Sequence, residues 1–214
     1  VRLGPSGEVS RVVLFDIETS GLDAWNDRVL SVCFFDSDVP SSVFVVRGDE
    51  VQIFKYLLGG PWKSLIRGEW PDALTITFNG LRFDVPFLVF RFLRVMEVPD
   101  EDSWLVQYRL SRTHLDLKQF AFLEVGRWGA CSLGDLVPGY PNPEWRVVGS
   151  KPPWIGVSSI DPDIWEYMAR YQFEEMKALI RYVQRCFSRF PKLFFPLLMV
   201  DPDRLVLQVV DCFA

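Results

Sequence analysis

Residues 11–18, Arg-Val-Val-Leu-Phe-Asp-Ile-Glu, form an apolar, β-branched run that closes on two acids. A run of that length, ended by Gly21-Leu22-Asp23, has the character of a central strand buried on both faces. Arg28 to Phe35 and Ser42 to Val46 repeat the composition after short breaks, so residues 11–47 read as three consecutive strands joined by turns. The pattern then changes. Asp49 is placed to cap a helix through Tyr56 and Leu58, stopped by Gly59-Gly60-Pro61. Leu74 to Phe78 is another buried strand, ending at Asn79-Gly80. Asp84 is placed to cap a helix with Pro86 in its first turn and Phe87, Leu88, Phe90 and Leu93 inside. His114 to Leu117 reads as a brief strand or a loop. The stretch from Val137 to Gly156 holds five prolines and three glycines and reads as a loop. Asp161-Pro162-Asp163 opens a long helix from about Ile164 to Cys186. Three antiparallel strands followed by strands alternating with helices predict an α/β fold, a mixed sheet with helices on both faces.

With 214 residues, 49% of them hydrophobic, the chain is expected to form one domain over residues 1–214. Its motif-bearing core spans about 11–186, and 187–214 is an apolar C-terminal extension through Leu193-Phe194-Phe195 and Leu205 to Val210. That extension reads either as added core, the expectation adopted here, or as a contact surface for a protein partner or a second copy. No apolar run reaches the roughly 18 residues that cross a bilayer, and no basic-then-apolar leader opens the chain, so the expectation is a soluble, cytoplasmic protein without membrane contact. Cys33, Cys131, Cys186 and Cys212 form no CxxC pair and read as buried free thiols, ahead of a zinc site or disulfides. His114 is the only histidine, which removes His-rich metal sites and makes a histidine-based triad hard to build. A net charge of −5 runs against a general basic face for phosphate, although clustered metal-binding carboxylates would themselves contribute about −4. Arginine outnumbers lysine 17 to 6, which suits bidentate phosphate contacts.

Three separated acidic clusters carry the chemistry. Asp16 and Glu18 stand two apart on a strand, so both side chains leave one face while Ile17 points the other way. They read either as a strand-end pair capping the next turn or as two ligands that a divalent cation bridges. Asp84 follows a strand end and a glycine, where an isolated aspartate caps a helix or joins a site. Tyr171 and Glu175 lie at i and i+4 on one helix face. Each alone also has a plain structural reading; their conjunction in this order is the signal.

Phe15-Asp16-Ile17-Glu18-Thr19-Ser20-Gly21-Leu22, then Phe78-Asn79-Gly80-Leu81-Arg82-Phe83-Asp84, then Tyr171-Gln172-Phe173-Glu174-Glu175 resemble the three successive motifs of the DEDD-type 3′–5′ exonucleases. The likeness is to the tyrosine subclass, as in the proofreading domain of family-B DNA polymerases and its stand-alone relatives. His114-Leu115-Asp116-Leu117 and Ser132 to Leu136 also resemble segments between the second and third motifs. The resemblance covers roughly residues 11–186 and implies a ribonuclease H-like fold. It implies that Asp16, Glu18, Asp84 and Glu175 hold two Mg²⁺ or Mn²⁺ ions, one lowering the pKa of the attacking water and the other stabilising the departing 3′ oxygen. Tyr171 would orient that water and complete the catalytic set. Thr19, Leu22, Asn79, Arg82 and Phe83 would bind the strand, with Leu22 wedged against the last base. The implied substrate is the 3′ end of single-stranded DNA or RNA, with DNA repair as one setting. In the other subclass a histidine precedes the last acid by five residues; Gln119 lies five after His114, and no histidine stands five before Glu175.

One position departs from the pattern. The third motif of the family ends in aspartate, where this chain has Glu175, whose carboxylate reaches about 1.5 Å further. Glu174 competes for the role, but the spacing Tyr-x-x-x-acid selects Glu175. Two readings follow: a metal-dependent 3′–5′ exonuclease, or an impaired descendant that kept the fold as a nucleic-acid-binding or assembly subunit.

Overall fold

Strand β1 (Arg11–Thr19) divides its side chains between two cores. Val12 and Leu14 enter one apolar cluster, while Phe15 and Ile17 enter the other. The alternation of a strand therefore sends Asp16 and Glu18 to the Val12/Leu14 face, with Ile17 opposite as its sequence neighbours require. The computed structural model describes residues 11–59, 73–97, 114–125, 132–138, 140, 143, 145, 150–157, 159–188 and 197–213.

β1 pairs antiparallel with β2 (Val29–Asp36), and β2 with β3 (Ser42–Gly48), as the close spacing of the three runs predicts. β4 (Ala73–Thr77) returns parallel to β1, and β5 (His114–Asp116) lies parallel to β4. The sheet is completed by β6 (Val206–Cys212), giving the order β5-β4-β1-β2-β3-β6. Helices α1 (Glu50–Gly59) and α2 (Asp84–Val95) cover the Phe15/Ile17 face. α3 (Leu117–Val125), α4 (Leu133–Leu136) and α5 (Pro162–Phe187) pack on the other face, with Leu117, Leu133, Met176 and Leu179 in its core. The expected mixed sheet with helices on both faces is thus what forms.

Three expectations need correction. Asp84 is the first residue of α2 and not its cap; Phe83 holds the cap position, and no side chain caps it. A helix, α3, starts at Leu117, where only a brief strand or loop over His114 to Leu117 is expected. The apolar tail divides: Leu197, Val200 and Leu205 are buried, but β6 lies at the sheet edge with Val206 52% and Val209 36% exposed. Leu193, Phe194 and Phe195 lie outside the described residues.

Asp49 does cap α1, accepting the amides of Val51 at 3.0 Å and Gln52 at 3.2 Å. Beside it, buried Glu50 accepts the Val29 amide at 2.7 Å and pairs with Arg91 of α2, whose guanidinium also donates to Ala24 O at 3.3 Å. A buried carboxylate held by two donors from different elements locks the turn after β1 to the helix behind it. That turn is one wall of the site.

Candidate active site

At the C-terminal end of β1 the pairing register shifts between Glu18 and Thr19. An irregularity of that kind re-aims the side chains beside it. Oxygens of Asp16, Glu18 and Glu175 lie within 4.8 Å of one another. Glu175 comes from α5, one turn beyond Tyr171, so strand and helix meet at this point. Glu174 does not join them; it pairs with Lys177 at 3.0 Å. Asp84, 5% exposed, stands beside the trio and feels Glu175 most strongly among the neighbouring charges.

Burial, first, and then the charges of Glu175, Asp84 and Glu18 push Asp16 well above the ordinary carboxylate range; the Gln172 amide opposes this. Asp84 is pushed up to about 8 by burial, Glu175 and Asp116. The buried Cys33 thiol, paired with Asp16 across β1 and β2, is raised by burial and by the same acids. Four carboxylates gathered in one place are costly to ionise together. An all-carboxylate oxygen set suits hard divalent ions such as Mg²⁺ or Mn²⁺, and a bound cation would relieve the repulsion. The residues fit the ions.

This has a measurable consequence in chelator. Asp84 has a folded pKa of about 8 against an ordinary 3.8, so the folded protein holds the extra proton between those values. The stability it contributes is complete below about pH 4 and is lost as pH rises through about 8. Melting in EDTA is expected to fall more between pH 5 and pH 8 for wild type than for Asp84→Asn. Mn²⁺ should restore the wild-type melting temperature at pH 8 and change it little at pH 5. Identical pH profiles for the two proteins would exclude Asp84 as the responsible group.

The acids sit in a cleft of about 1040 Å³. Thr19, Leu22, Asn79, Phe83 and Tyr171 line it, as do Lys118 and Lys151. Leu22 is 80% exposed at its mouth, whereas Thr19 is buried and its hydroxyl donates to Gly21 O at 2.5 Å. Tyr171 packs against Trp145 and Trp154, with ring centroids 5.5 and 5.8 Å away. Arg82 is exposed and is not among the lining residues.

The Asn79-Gly80 turn is held from below. Asp116 accepts the amides of Asn79 at 2.8 Å and Leu81 at 3.2 Å, and the Thr77 hydroxyl accepts that of Gly80 at 3.1 Å. His114 Nε2 lies 2.7 Å from the same hydroxyl, so it serves the turn. Asn79 adopts φ 71°, and a Cβ at Gly80 would collide with the Thr77 side chain, so the turn needs these two residue types.

Two contacts escaped the sequence reading. The Gln172 amide donates to Asp16 Oδ2 at 3.4 Å while its carbonyl accepts from the Ser31 hydroxyl at 2.6 Å. The Trp154 indole donates to Glu18 Oε2 at 3.0 Å. Gln172 lies three residues before Glu175, so helical spacing already put it on that face. Trp154 lies in the proline-rich stretch, where no period points anywhere.

The family model described as the RNase_H superfamily matches residues 13–137, more than half of the chain. Among curated proteins none matches it by sequence. Of solved structures, the family B DNA polymerase from the hyperthermophilic archaeon Pyrobaculum calidifontis is 18% identical with a TM-score of 0.56, covering 87% of this chain and 27% of its own. The chain thus spans about a quarter of that polymerase, and the likeness is one of fold. NrnC of Brucella melitensis bound to pGG is 16% identical (TM-score 0.46), covering 90% of this chain and 82% of its own. E. coli ExoI in its zinc-bound complex with single-stranded DNA is 16% identical (TM-score 0.43), covering 87% and 42%.

Proposed function

This chain belongs to the RNase H superfamily, and on that footing we propose that it is a divalent-metal-dependent 3′–5′ exonuclease acting on single-stranded nucleic acid. The observation that carries the reading is the approach of Asp16, Glu18 and Glu175 to within 4.8 Å, with Asp84 beside them, in an open cleft. Asp16, Glu18, Asp84 and Glu175 would hold two Mg²⁺ or Mn²⁺ ions, which supply a lowered pKa for water and neutralisation of charge on the departing 3′ oxygen.

The chain's own residues do the positioning. Tyr171, its ring fixed by two tryptophans, offers its hydroxyl to orient the attacking water. Glu18 reaches the terminal 3′ hydroxyl, and exposed Leu22 wedges against the last base. Asn79 and Phe83 shape the path of the strand opposite, while Thr19 secures the backbone under Leu22. Arg82, outside the lining, would meet a phosphate beyond the cleft. Water adds to phosphorus and loses a proton, the bond to the 3′ oxygen breaks and that oxygen gains a proton, and a nucleoside 5′-monophosphate leaves a strand shortened by one.

The test is degradation of a 5′-labelled single-stranded DNA and its RNA counterpart, with Mn²⁺ or with EDTA. A metal-dependent ladder shortening from the 3′ end is the expected result, and the better substrate of the two reads out the sugar preference. Binding of the labelled strand without any shortening would instead support the reading as a non-catalytic subunit.

A further inference from the structure

Trp154 has no exposed surface, and its only polar atom is aimed at the acidic group. A buried indole N–H needs an acceptor, and here the acceptor is Glu18 Oε2. The ring cannot turn away. Trp145, Tyr167 and Tyr171 surround it with centroids at 6.1, 6.2 and 5.8 Å. Its loop is also sewn to the end of β1, because the Gly156 amide donates to Ser20 O at 2.8 Å. Gly156 adopts φ 78° there, and Lys151, Pro152 and Ile155 of the same loop line the cleft.

The chemistry of this donor matters. An indole N–H is neutral, so it fixes a carboxylate oxygen without cancelling the charge, as an ammonium group would. It engages Oε2. Glutamate has three side-chain torsions, and Glu18 is half-buried where the register shifts, so a bond from the Trp154 loop restrains its direction.

We propose that Trp154 is a positioning residue that holds Glu18 facing Asp16 and Glu175, and so sets the affinity of the site for its cation. This rests on the reading of the acidic group as a divalent-metal site. Partners of this outer kind are worth about 10–100-fold in metal affinity. Trp154→Phe keeps the ring and removes the N–H.

The experiment is Mn²⁺ binding to the purified protein by titration calorimetry, in wild type, Trp154→Phe, Glu18→Ala and the double variant. Wild type should bind; Trp154→Phe should bind about 10–100-fold more weakly; and Trp154→Phe should add nothing once Glu18 is alanine. No Mn²⁺ uptake by wild type would overturn the metal reading itself. Uptake by wild type with Trp154→Phe within twofold of it would overturn the role of Trp154 alone. Equal losses in both backgrounds would also overturn it, since the effect would not run through Glu18. Should Trp154→Phe not fold, the ¹⁵N-labelled indole resonances carry the test. One should move both in Glu18→Ala and when Mg²⁺ is added to wild type; none common to both would sink the proposal.

Discussion

Asp16→Asn is expected to lower nucleotide release by about 10³-fold while raising the melting temperature in EDTA. The loss exceeds the roughly 10²-fold that a 1 Å misplacement costs, because under the proposed metal-site reading a ligand charge is removed and not merely moved. The gain in stability has a separate origin. Burial and three neighbouring carboxylates all oppose ionisation of Asp16. Asparagine keeps the shape, still offers an oxygen to Gln172, and carries no charge to desolvate. Stability and activity should therefore move in opposite directions at one position, as at other sites where function opposes packing. Undiminished release by a clean Asp16→Asn preparation would remove the assignment. Lost release with a lowered melting temperature would mean that Asp16 is a structural residue.

Glu175→Asp, the change toward the usual third motif, is expected to reduce activity by about 10²-fold. The longer side chain already brings its oxygen within 4.8 Å of those of Asp16 and Glu18, from a helix packed against the sheet. Met176 and Leu179 beside it are buried, so α5 has no freedom to follow a side chain shortened by about 1.5 Å. Steady-state rates at saturating Mn²⁺ decide the matter. A faster Glu175→Asp enzyme would show that glutamate impairs this site; a slower one would show that strand and helix are spaced for it.

The alternation Phe15-Asp16-Ile17-Glu18 made the acid-bearing face legible, because a strand's period of two admits one solution when Phe15 and Ile17 are buried. The spacing of Tyr171 and Glu175 was legible for the same kind of reason, and it separated Glu175 from Glu174. Asp84 was placed correctly in the chain but given the wrong local job: one residue of shift at a helix start moves an aspartate from cap to interior, and helix ends carry that uncertainty. Trp154 and Glu18 are 136 residues apart, Gln172 and Asp16 156. Contacts of that span leave no periodic trace. β6 was hidden by its composition, since Gln208 and Asp211 interrupt its apolar residues while both Val206 and Val209 face solvent.

β6 also bears on how the molecule is made. Arg47 of β3 and Asp211 of β6 are bonded at 2.7 Å across 164 positions, and a Cβ at Gly48 would lie 2.6 Å from the Cys212 carbonyl carbon. The strand that closes the β3 edge thus leaves a ribosome 164 positions after the residues it pairs with. Until then β3 presents an unpaired apolar edge, the kind of template on which nascent chains associate. A chain interrupted between residues 188 and 205 would carry every acid of the cleft and leave β3 without that cover.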